Sequence, residues 1–141
     1  GAYFVQTGAY TLPAVIAAIP SGILVHNLLF LNEFPDAEAD IKANRKTLPI
    51  IMGKAKSSIV YAALTVLVYL WLIGGVWAGF MPAFSLLGLL TLPLAIKAIQ
   101  GARQYQQPAK LIPAMGNNVI IILLTQFLMG IGYILAGIFY W

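Results

Sequence analysis

Every charged residue of this chain lies in one of two segments, 33–56 and 97–110. The remaining stretches, 1–32, 57–96 and 111–141, contain no Asp, Glu, Lys or Arg. A membrane helix needs about 20 consecutive apolar residues, and each of these stretches has room for at least one. Only 9% of the residues are charged, against about 25% in soluble domains, so polar side chains cannot cover a globular surface. The sequence therefore predicts an integral membrane protein.

The apolar stretches predict an all-α fold, a multi-pass transmembrane helical bundle, because runs of this length favour helices over barrel strands. We place four spans at about 9–31, 57–79, 83–99 and 116–140. Pro13 and Pro20 lie in the first span, and membrane helices tolerate proline where neighbouring groups satisfy the freed carbonyls. We therefore expect a bent first helix that packs inside the bundle.

Shorter features indicate how the spans end and pack. Phe80-Met81-Pro82 is a tight, uncharged hairpin between the second and third spans. Ser57 is predicted to cap the second span, and Asn117 and Asn118 the last span, with acceptor binding as the alternative role of the two asparagines. Two small-residue motifs permit close approach of helices: Gly75-x-x-x-Gly79 and Gly132-x-x-x-Ala136. Four aromatic residues fit a belt at the membrane interface: Trp71, Trp77, Tyr140 and Trp141.

The charged segments predict the orientation in the membrane. With four alternating spans, segments 32–56 and 97–113 emerge on one side, and the hairpin and both termini emerge on the other. All eight basic residues therefore share one face, which the positive-inside rule assigns to the cytoplasm. We expect the chain to lie in the cell membrane with its polar chemistry on the cytoplasmic face.

Composition excludes several kinds of site. The chain has no cysteine, which excludes disulfides and thiolate metal sites, and its single histidine argues against a zinc site. That residue, His26, is interpreted as a hydrogen-bonded packing residue at the interface rather than a catalytic one. The net charge of +4 is small and confined to the loops, which fits a membrane surface and argues against nucleic acid as a partner.

All four acidic residues lie within eight consecutive positions. Asp36 and Asp40 are four residues apart, which on a helix places both carboxylates on one face, whereas Glu38 points away. Pro35 predicts a helix break near Glu33–Phe34, followed by a short helix that carries both aspartates. Two such carboxylates suit Mg²⁺, which proteins hold with one or two carboxylates together with substrate phosphates.

Basic residues follow the carboxylates directly. Lys42, Arg45 and Lys46 supply positive charge for a diphosphate, so the stretch is suited to a metal–diphosphate complex at the membrane surface. The alternative is a solvated loop with Asp–Lys pairs, although charged residues beside membrane helices favour a functional role. Gly53-Lys54-Ala55-Lys56-Ser57 is not a phosphate loop, because the upstream glycine is absent and no strand precedes it.

The pattern Asn32-x-x-x-Asp36-x-x-x-Asp40-x-x-x-Asn44-Arg45-Lys46-Thr47-Leu48 resembles the second aspartate-rich motif of the UbiA superfamily of intramembrane prenyltransferases. It is most similar to the 1,4-dihydroxy-2-naphthoate prenyltransferase branch, which acts in menaquinone synthesis. Tyr3-Phe4-Val5-Gln6-Thr7-Gly8 also resembles the segment that precedes the motif-bearing helix in that branch. Pro35 stands where many relatives have Arg, which removes an expected diphosphate contact. Asn44 replaces a usual Gly, and Asn also tolerates a left-handed backbone.

The resemblance implies a fold, partners and a mechanism. Family members form a bundle of about nine helices with two aspartate-rich motifs. Only the second motif is present here, so residues 1–141 resemble the C-terminal half of a membrane prenyltransferase domain, with the N-terminal half as a partner. Mg²⁺ held by both motifs binds an isoprenyl diphosphate. Ionisation then gives an allylic cation that an aromatic acceptor such as dihydroxynaphthoate attacks, while the prenyl tail lies between helices in the lipid bilayer.

The resemblance also assigns roles to residues. Asp36 and Asp40 match the catalytic metal ligands, and this half alone is expected to be inactive. The substrate-binding positions are Asn32, Lys42, Arg45 and Lys46. One alternative is another branch of the superfamily with a different acceptor. A further alternative is a non-catalytic membrane subunit or a transporter half, although the centres of the predicted spans hold only Pro, Gly, Thr and aromatic residues besides aliphatic ones.

Overall fold

The computed structural model describes residues 1–139 and confirms the all-α class. Its helices are α1 (Ala2–Thr7), α2 (Leu12–Lys42), α3 (Leu48–Met52), α4 (Lys54–Trp77), a 3₁₀ helix (Ala83–Thr91), α5 (Leu92–Arg103) and α6 (Pro108–Phe139). Within the described residues, four helical segments have the length and apolar composition to cross a membrane: α2, α4, the 3₁₀ helix continued by α5, and α6. The predicted number of spans is confirmed.

Helix α2 is longer than predicted. The sequence predicts a span that ends near 31, a break at Glu33–Phe34 and a motif loop over 32–56. The break and much of the loop are wrong, because α2 continues through Pro35 to Lys42. Of the predicted loop, 43–47 and Gly53 are the non-helical part. The aspartate motif therefore lies on the end of a membrane helix rather than on a separate short helix.

The burial of Phe34 explains why Pro35 does not end the helix. Phe34 is 0% exposed, and its ring meets Phe30 edge-on with the centroids 5.9 Å apart. On its other side it meets Tyr105, in the connection between α5 and α6, at 6.2 Å. Burying a Phe side chain contributes about 1.5–3 kcal/mol, which offsets much of the cost of about 3 kcal/mol for an internal proline. Contacts distant in sequence thus override the local preference.

A neighbouring helix accommodates Pro20, which lies inside α2. Proline has no N–H to donate to the carbonyl four residues earlier, here that of Ile16. The indole Nε1–H of Trp71 in α4 donates to this Ile16 oxygen at 3.0 Å. The prediction that a neighbouring helix satisfies a freed carbonyl is confirmed at Pro20. Trp71 therefore ties α4 to α2, whereas Trp77 is 90% exposed.

The third span combines two kinds of helix. It begins as 3₁₀ over Ala83–Thr91 and continues as α5 to Arg103, beyond the predicted end at 99. A 3₁₀ helix rises about 2.0 Å per residue and an α-helix about 1.5 Å, so the two parts together reach ~36 Å. That length exceeds the hydrocarbon thickness of about 30 Å, so the shortest of the four predicted spans is still long enough to cross a bilayer.

Small residues allow close contacts on both sides of this span. A Cβ atom on Gly132 of α6 would collide with the Phe84 backbone carbonyl, and one on Gly75 of α4 would lie 2.6 Å from Met81 Sδ. Both glycines are buried, and the contact of Gly132 with the 3₁₀ helix confirms the predicted close approach of helices there, whereas Gly75 faces the hairpin residue Met81. Gly79 instead adopts a positive φ of 76° in the hairpin, so it serves the turn rather than helix packing.

The last helix begins earlier than predicted. α6 starts at Pro108 rather than near 116, and proline is favourable in the first turn because its missing N–H would have no partner there. The predicted extramembrane segment 97–113 is therefore mostly helical, and 104–107 form the connection. The predicted end of this span at Tyr140, together with Trp141, lies outside the described residues.

The predicted caps are wrong because these helices start earlier in the chain. Asn117 and Asn118 lie well inside α6, and Asn118 is buried. Ser57 lies inside α4, which begins at Lys54 directly after Gly53, and Ser57 is buried as well. These side chains consequently do not satisfy the free N–H groups of a helix end, and Asn118 instead accepts a hydrogen bond from the Tyr61 hydroxyl of α4.

The main hydrophobic core occupies the half of the bundle that carries the motif. Its buried members come from α2, α4, α5 and α6, and the largest of them include Phe30, Phe34, Tyr61, Tyr69 and Ile121. A smaller cluster near the hairpin is built from Leu72, Met81 and Met129. The end of α2 that carries the aspartates is therefore anchored on the larger core.

A double-mutant cycle tests the contact between Trp71 and the carbonyl freed by Pro20. Trp71→Phe is expected to lower the free energy of unfolding by about 1 kcal/mol, measured by reversible SDS unfolding followed by circular dichroism. In a Pro20→Ala background the cost should fall by more than half, because an alanine at this position can donate its own N–H to the Ile16 carbonyl. Trp77→Phe is the control and should have little effect. An equal cost of Trp71→Phe in both backgrounds would contradict the contact.

Cysteine labelling tests the topology on this cysteine-free chain. Ala43→Cys and Ala78→Cys replace exposed alanines that directly follow α2 and α4, so the span formed by α4 separates them. An impermeant maleimide is expected to label them from opposite sides of sealed membranes, with position 43 cytoplasmic. Gln106→Cys should label from the same side as position 43. Labelling of positions 43 and 78 from one side would refute the four-span arrangement.

Candidate functional site

The motif residues lie where α2 leaves the apolar layer. α2 contains 31 residues and is therefore about 46 Å long at 1.5 Å per residue. Its uncharged part, Leu12–Leu31, accounts for about 30 Å, which matches the hydrocarbon thickness of a bilayer. The remaining part, Asn32–Lys42, projects about 16 Å further and carries all four acidic residues. The helix thus presents its carboxylates at the membrane surface.

Asp36 and Asp40 lie on one face of this continuous helix but in different surroundings. Asp36 is exposed, whereas the Asp40 side chain is only 12% exposed. Asn32, one turn before Asp36, is half-buried and extends the same row. Glu38 is exposed and lies about 200° around the helix axis from each aspartate. The face therefore offers one open carboxylate and one held against the protein.

The turn that ends α2 brings Arg45 back to Asp40. Asn44 adopts a left-handed φ of 58°, a conformation that Asn tolerates better than most residues, so the predicted turn is present. The Arg45 N–H donates to the Asp40 carbonyl at 2.9 Å, and the Asn44 N–H donates to the Ile41 carbonyl at 3.0 Å. This bond pair is a Schellman motif. It places Arg45 Nη1 3.4 Å from Asp40 Oδ1.

The cations of the motif can reach a ligand. Lys42 and Lys46 are exposed, and the Arg45 side chain is 72% exposed despite its contact with Asp40. An ion pair this open to solvent contributes at most about 1 kcal/mol. The Arg45 guanidinium can therefore turn from the carboxylate to a stronger anion, such as a phosphate, at little cost.

Glu33 is a candidate that the sequence analysis left without a role. It is half-buried, and its Oε2 is enclosed with no hydrogen-bond partner among the described residues. Its carboxylate interacts electrostatically with Asp40 and His26. His26, Glu33 and Asp40 are each seven residues apart, close to two helical turns. This spacing is the sequence signal that could have placed Glu33 on the same face as Asp40. His26 itself is exposed and stacks on Phe30 with the ring centroids 5.4 Å apart, so its described contact is packing.

Buried polar side chains tie α2, α4 and α6 together below the motif. The Asn27 amide donates to Thr65 Oγ1 at 3.0 Å, and the Tyr61 hydroxyl donates to Asn118 Oδ1 at 2.8 Å. The Thr65 hydroxyl donates to the Tyr61 carbonyl at 2.8 Å, which links the two pairs. All four residues are buried. The sequence analysis missed this network, although polar residues inside apolar runs are a signal for it. The network fixes the rotation of α2 two to three turns before Asp36.

The carboxylates fit a Mg²⁺ ion only together with ligands that the described residues do not supply. Residues 1–139 contain no group of three or more His, Cys, Asp or Glu side chains that could hold a metal ion. Mg²⁺ is usually held by one or two carboxylates with water and substrate phosphates, and Asp36 and Asp40 provide two on one face. The nearby exposed cations suit the phosphates. The arrangement therefore fits part of a metal–diphosphate site.

Comparison with known proteins points to one protein family. The model of the UbiA prenyltransferase family matches residues 1–121. The chain is 30% identical over 134 residues to 1,4-dihydroxy-2-naphthoate octaprenyltransferase of Bacillus subtilis (strain 168), across 95% of this chain and 43% of that protein. The protein of the same name from Haemophilus influenzae is 28% identical over 136 residues, across 96% of this chain and 44% of the relative.

A human protein is also similar. UbiA prenyltransferase domain-containing protein 1 of Homo sapiens is 32% identical over 108 residues, which cover 77% of this chain and 30% of that protein. No solved structure matches the chain. The chain spans less than half the length of these relatives. The family match includes α1 to α5, the first part of α6 and the whole aspartate motif. This membrane protein therefore belongs to the UbiA prenyltransferase family.

Proposed function

We propose that the chain forms the C-terminal half of a Mg²⁺-dependent prenyltransferase. The enzyme would transfer a polyprenyl group from an isoprenyl diphosphate to an aromatic acceptor in the synthesis of a menaquinone-type quinone. The observation that carries the proposal is the placement of Asp36 and Asp40 on one face of α2 at the membrane surface, with Arg45 folded against Asp40. Family membership supports an enzyme over a non-catalytic subunit or a transporter half.

The names of the relatives support the class of acceptor. Two are 1,4-dihydroxy-2-naphthoate octaprenyltransferases. A third, 2-carboxy-1,4-naphthoquinone phytyltransferase of Synechocystis, is 28% identical over 138 residues, across 97% of this chain and 45% of that protein. A fused two-ring acceptor such as dihydroxynaphthoate is therefore the first candidate. Another branch of the family with a different acceptor is the second candidate.

The residues of the motif divide the work on the diphosphate. Asp36 and Asp40 would hold Mg²⁺, which when bound neutralises charge on the diphosphate and so assists its departure. Arg45 orients the Asp40 carboxylate before the donor arrives and can then turn to the phosphate oxygens, which a guanidinium binds in a bidentate way. Lys42 and Lys46 add positive charge on the solvent side. The motif thus recognises an anionic head group at the end of a membrane helix.

The apolar surface of α2 suits the tail of the same substrate. Exposed residues at intervals of three or four form a continuous face that leads along the helix toward Asp36: Val15, Ala18, Gly22, Val25 and Leu29. At the far end of this face, Ala14, Ala17 and Ala18 help to line a cleft of about 800 Å³. An isoprenyl diphosphate has the matching shape, an anionic head followed by a long apolar chain. The tail would lie along this face with the diphosphate at Asp36.

The setting of the reaction follows from the topology. The motif would face the cytoplasm from the cell membrane, because all eight basic residues lie at the same end of the four spans. The N-terminal half of the fold would contribute the remaining metal ligands and cover the open face of α2. The bilayer would hold the prenyl tail close to the site, so the donor need not leave the membrane during transfer.

Replacement of the aspartates tests the metal assignment in the full-length enzyme. Asp36→Asn and Asp40→Asn keep the size of the side chain but remove the charge that Mg²⁺ requires. Each is expected to lower the rate of prenyl transfer to dihydroxynaphthoate roughly a thousandfold or more, since the ion stabilises the departing diphosphate. Glu38→Gln is the matched control and should change the rate by less than about tenfold. Full activity of either Asn variant across a Mg²⁺ titration would refute the assignment.

A larger side chain on the apolar face of α2 tests the proposed path of the prenyl tail. Val25→Trp is expected to raise the KM for the prenyl donor about tenfold or more with a smaller change in kcat, because the indole would occupy space needed by the chain. Val66→Trp on α4 is the control, since Val25 and Val66 are both 47% exposed. A similar change in KM for both variants would place the tail elsewhere.

A further inference from the structure

A second polar region lies between α5 and the first turns of α6. A cleft of about 310 Å³ opens there, and none of the aspartate-motif residues lines it. Lys97 and Gln100 line it from α5, Gln104 lines it from the start of the connection that follows, and Lys110 and Asn117 line it from α6. The spacing of three or seven residues puts each helical pair on one face of its helix. The two helices therefore turn matching polar faces toward the same space.

Small residues form the floor of this cleft. A Cβ atom on Gly101 would lie 2.6 Å from Ala114 Cβ and 2.6 Å from the Lys110 carbonyl oxygen. The backbones of α5 and α6 therefore approach as closely as they can at Gly101. Longer polar side chains border the cleft before and after this point. The cleft therefore follows from the close packing of the two helices at Gly101.

The cleft is basic, and no acidic side chain of residues 1–139 lines it. Of the described residues that line it, two are lysines and none is acidic. All acidic residues of the chain lie between Glu33 and Asp40 on α2, and Asp40 is already paired with Arg45. The amide groups of the cleft can donate hydrogen bonds but cannot balance charge. The site therefore has the composition of an anion site.

Depth in the membrane narrows the choice of anion. Lys97 lies about 9 Å before the end of α5, and Asn117 lies about 14 Å after the start of α6, at 1.5 Å per residue. Lys97 directly follows the uncharged stretch 57–96 and Lys110 directly precedes the uncharged stretch 111–141, so both lysines mark where these spans meet the head-group layer, which is about 5–8 Å thick on each side of the bilayer. A cation at that depth calls for an anionic partner. Lipid phosphates lie at this level.

We propose that this cleft binds the phosphate group of an anionic phospholipid. The phosphate would accept hydrogen bonds from the ammonium groups of Lys97 and Lys110 and from the neighbouring amides. The acyl chains would lie against apolar side chains that both helices expose beside the cleft, among them Ile96, Ile112 and Ile120. Free phosphate or diphosphate shares the head-group chemistry but has no tail to fill this apolar surface.

Native mass spectrometry of the full-length protein tests the site without using activity. The protein is released from micelles that contain phosphatidylglycerol or phosphatidylcholine, and lipid retention is measured. Phosphatidylglycerol is expected to be retained preferentially. Lys97→Gln combined with Lys110→Gln should weaken its binding roughly 25-fold, about fivefold for each lysine. Lys54→Gln combined with Lys56→Gln removes the same charge outside the cleft and should change binding less than about twofold.

Two further arms make each outcome decisive. Lys97→Arg combined with Lys110→Arg keeps both charges and should retain phosphatidylglycerol, which separates loss of the site from loss of folding. Inorganic diphosphate added in excess should leave lipid retention unchanged. Displacement of the lipid by diphosphate would show a site for free phosphate and overturn the lipid assignment. Equal retention of the two lipids, or equal loss in the two Gln double variants, would overturn the proposal as well.

Discussion

The burial of Phe34 is the contact on which the arrangement of the site depends. It keeps α2 helical through Pro35, where local preference would end the helix. The motif is therefore a continuous helical extension of a membrane span. The ring that covers Phe34 belongs to Tyr105, in the connection between α5 and α6. If the helix broke here, the rotation of Asp36 and Asp40 would no longer be set by the packing of the span.

The bilayer imposes a second constraint, because it offers no water to polar groups inside it. Hydrogen bonds between helices satisfy such groups: the Trp71 indole donates to the Ile16 carbonyl, and the Tyr61 hydroxyl donates to Asn118. Each contributes only about 0.6–1.7 kcal/mol, so their main effect is to select one rotation and depth for each helix. The spans are more polar inside than the sequence analysis inferred. These polar groups bond to one another across helices, as the pairs Asn27–Thr65 and Tyr61–Asn118 show.

The charged end of the bundle serves two kinds of recognition in our proposals. On α2 the carboxylates and the exposed Arg45 side chain suit a metal ion and a diphosphate that must arrive and leave. Between α5 and α6, Lys97 and Lys110 share a cleft that no acidic side chain of the described residues lines, and they suit an anion that stays bound. Both regions lie at the same end of the spans, so a lipid held in the cleft would fix the depth of the bundle relative to the site on α2.

The sequence by itself determined the membrane class, the number of spans, the residues of the motif and the left-handed turn at Asn44. These follow from hydrophobicity, charge and local backbone preference, which act over a few residues and need no knowledge of distant neighbours. Only the tertiary structure decided that α2 continues past Pro35, that Asn118 is buried inside α6 and, through the unbroken helix, that Glu33 keeps its two-turn spacing from Asp40. The first two of these outcomes rest on contacts between residues far apart in the chain, such as the 57 positions that separate Tyr61 from Asn118. A pattern of neighbouring residues cannot predict such contacts, because their energy exists only once the helices have packed.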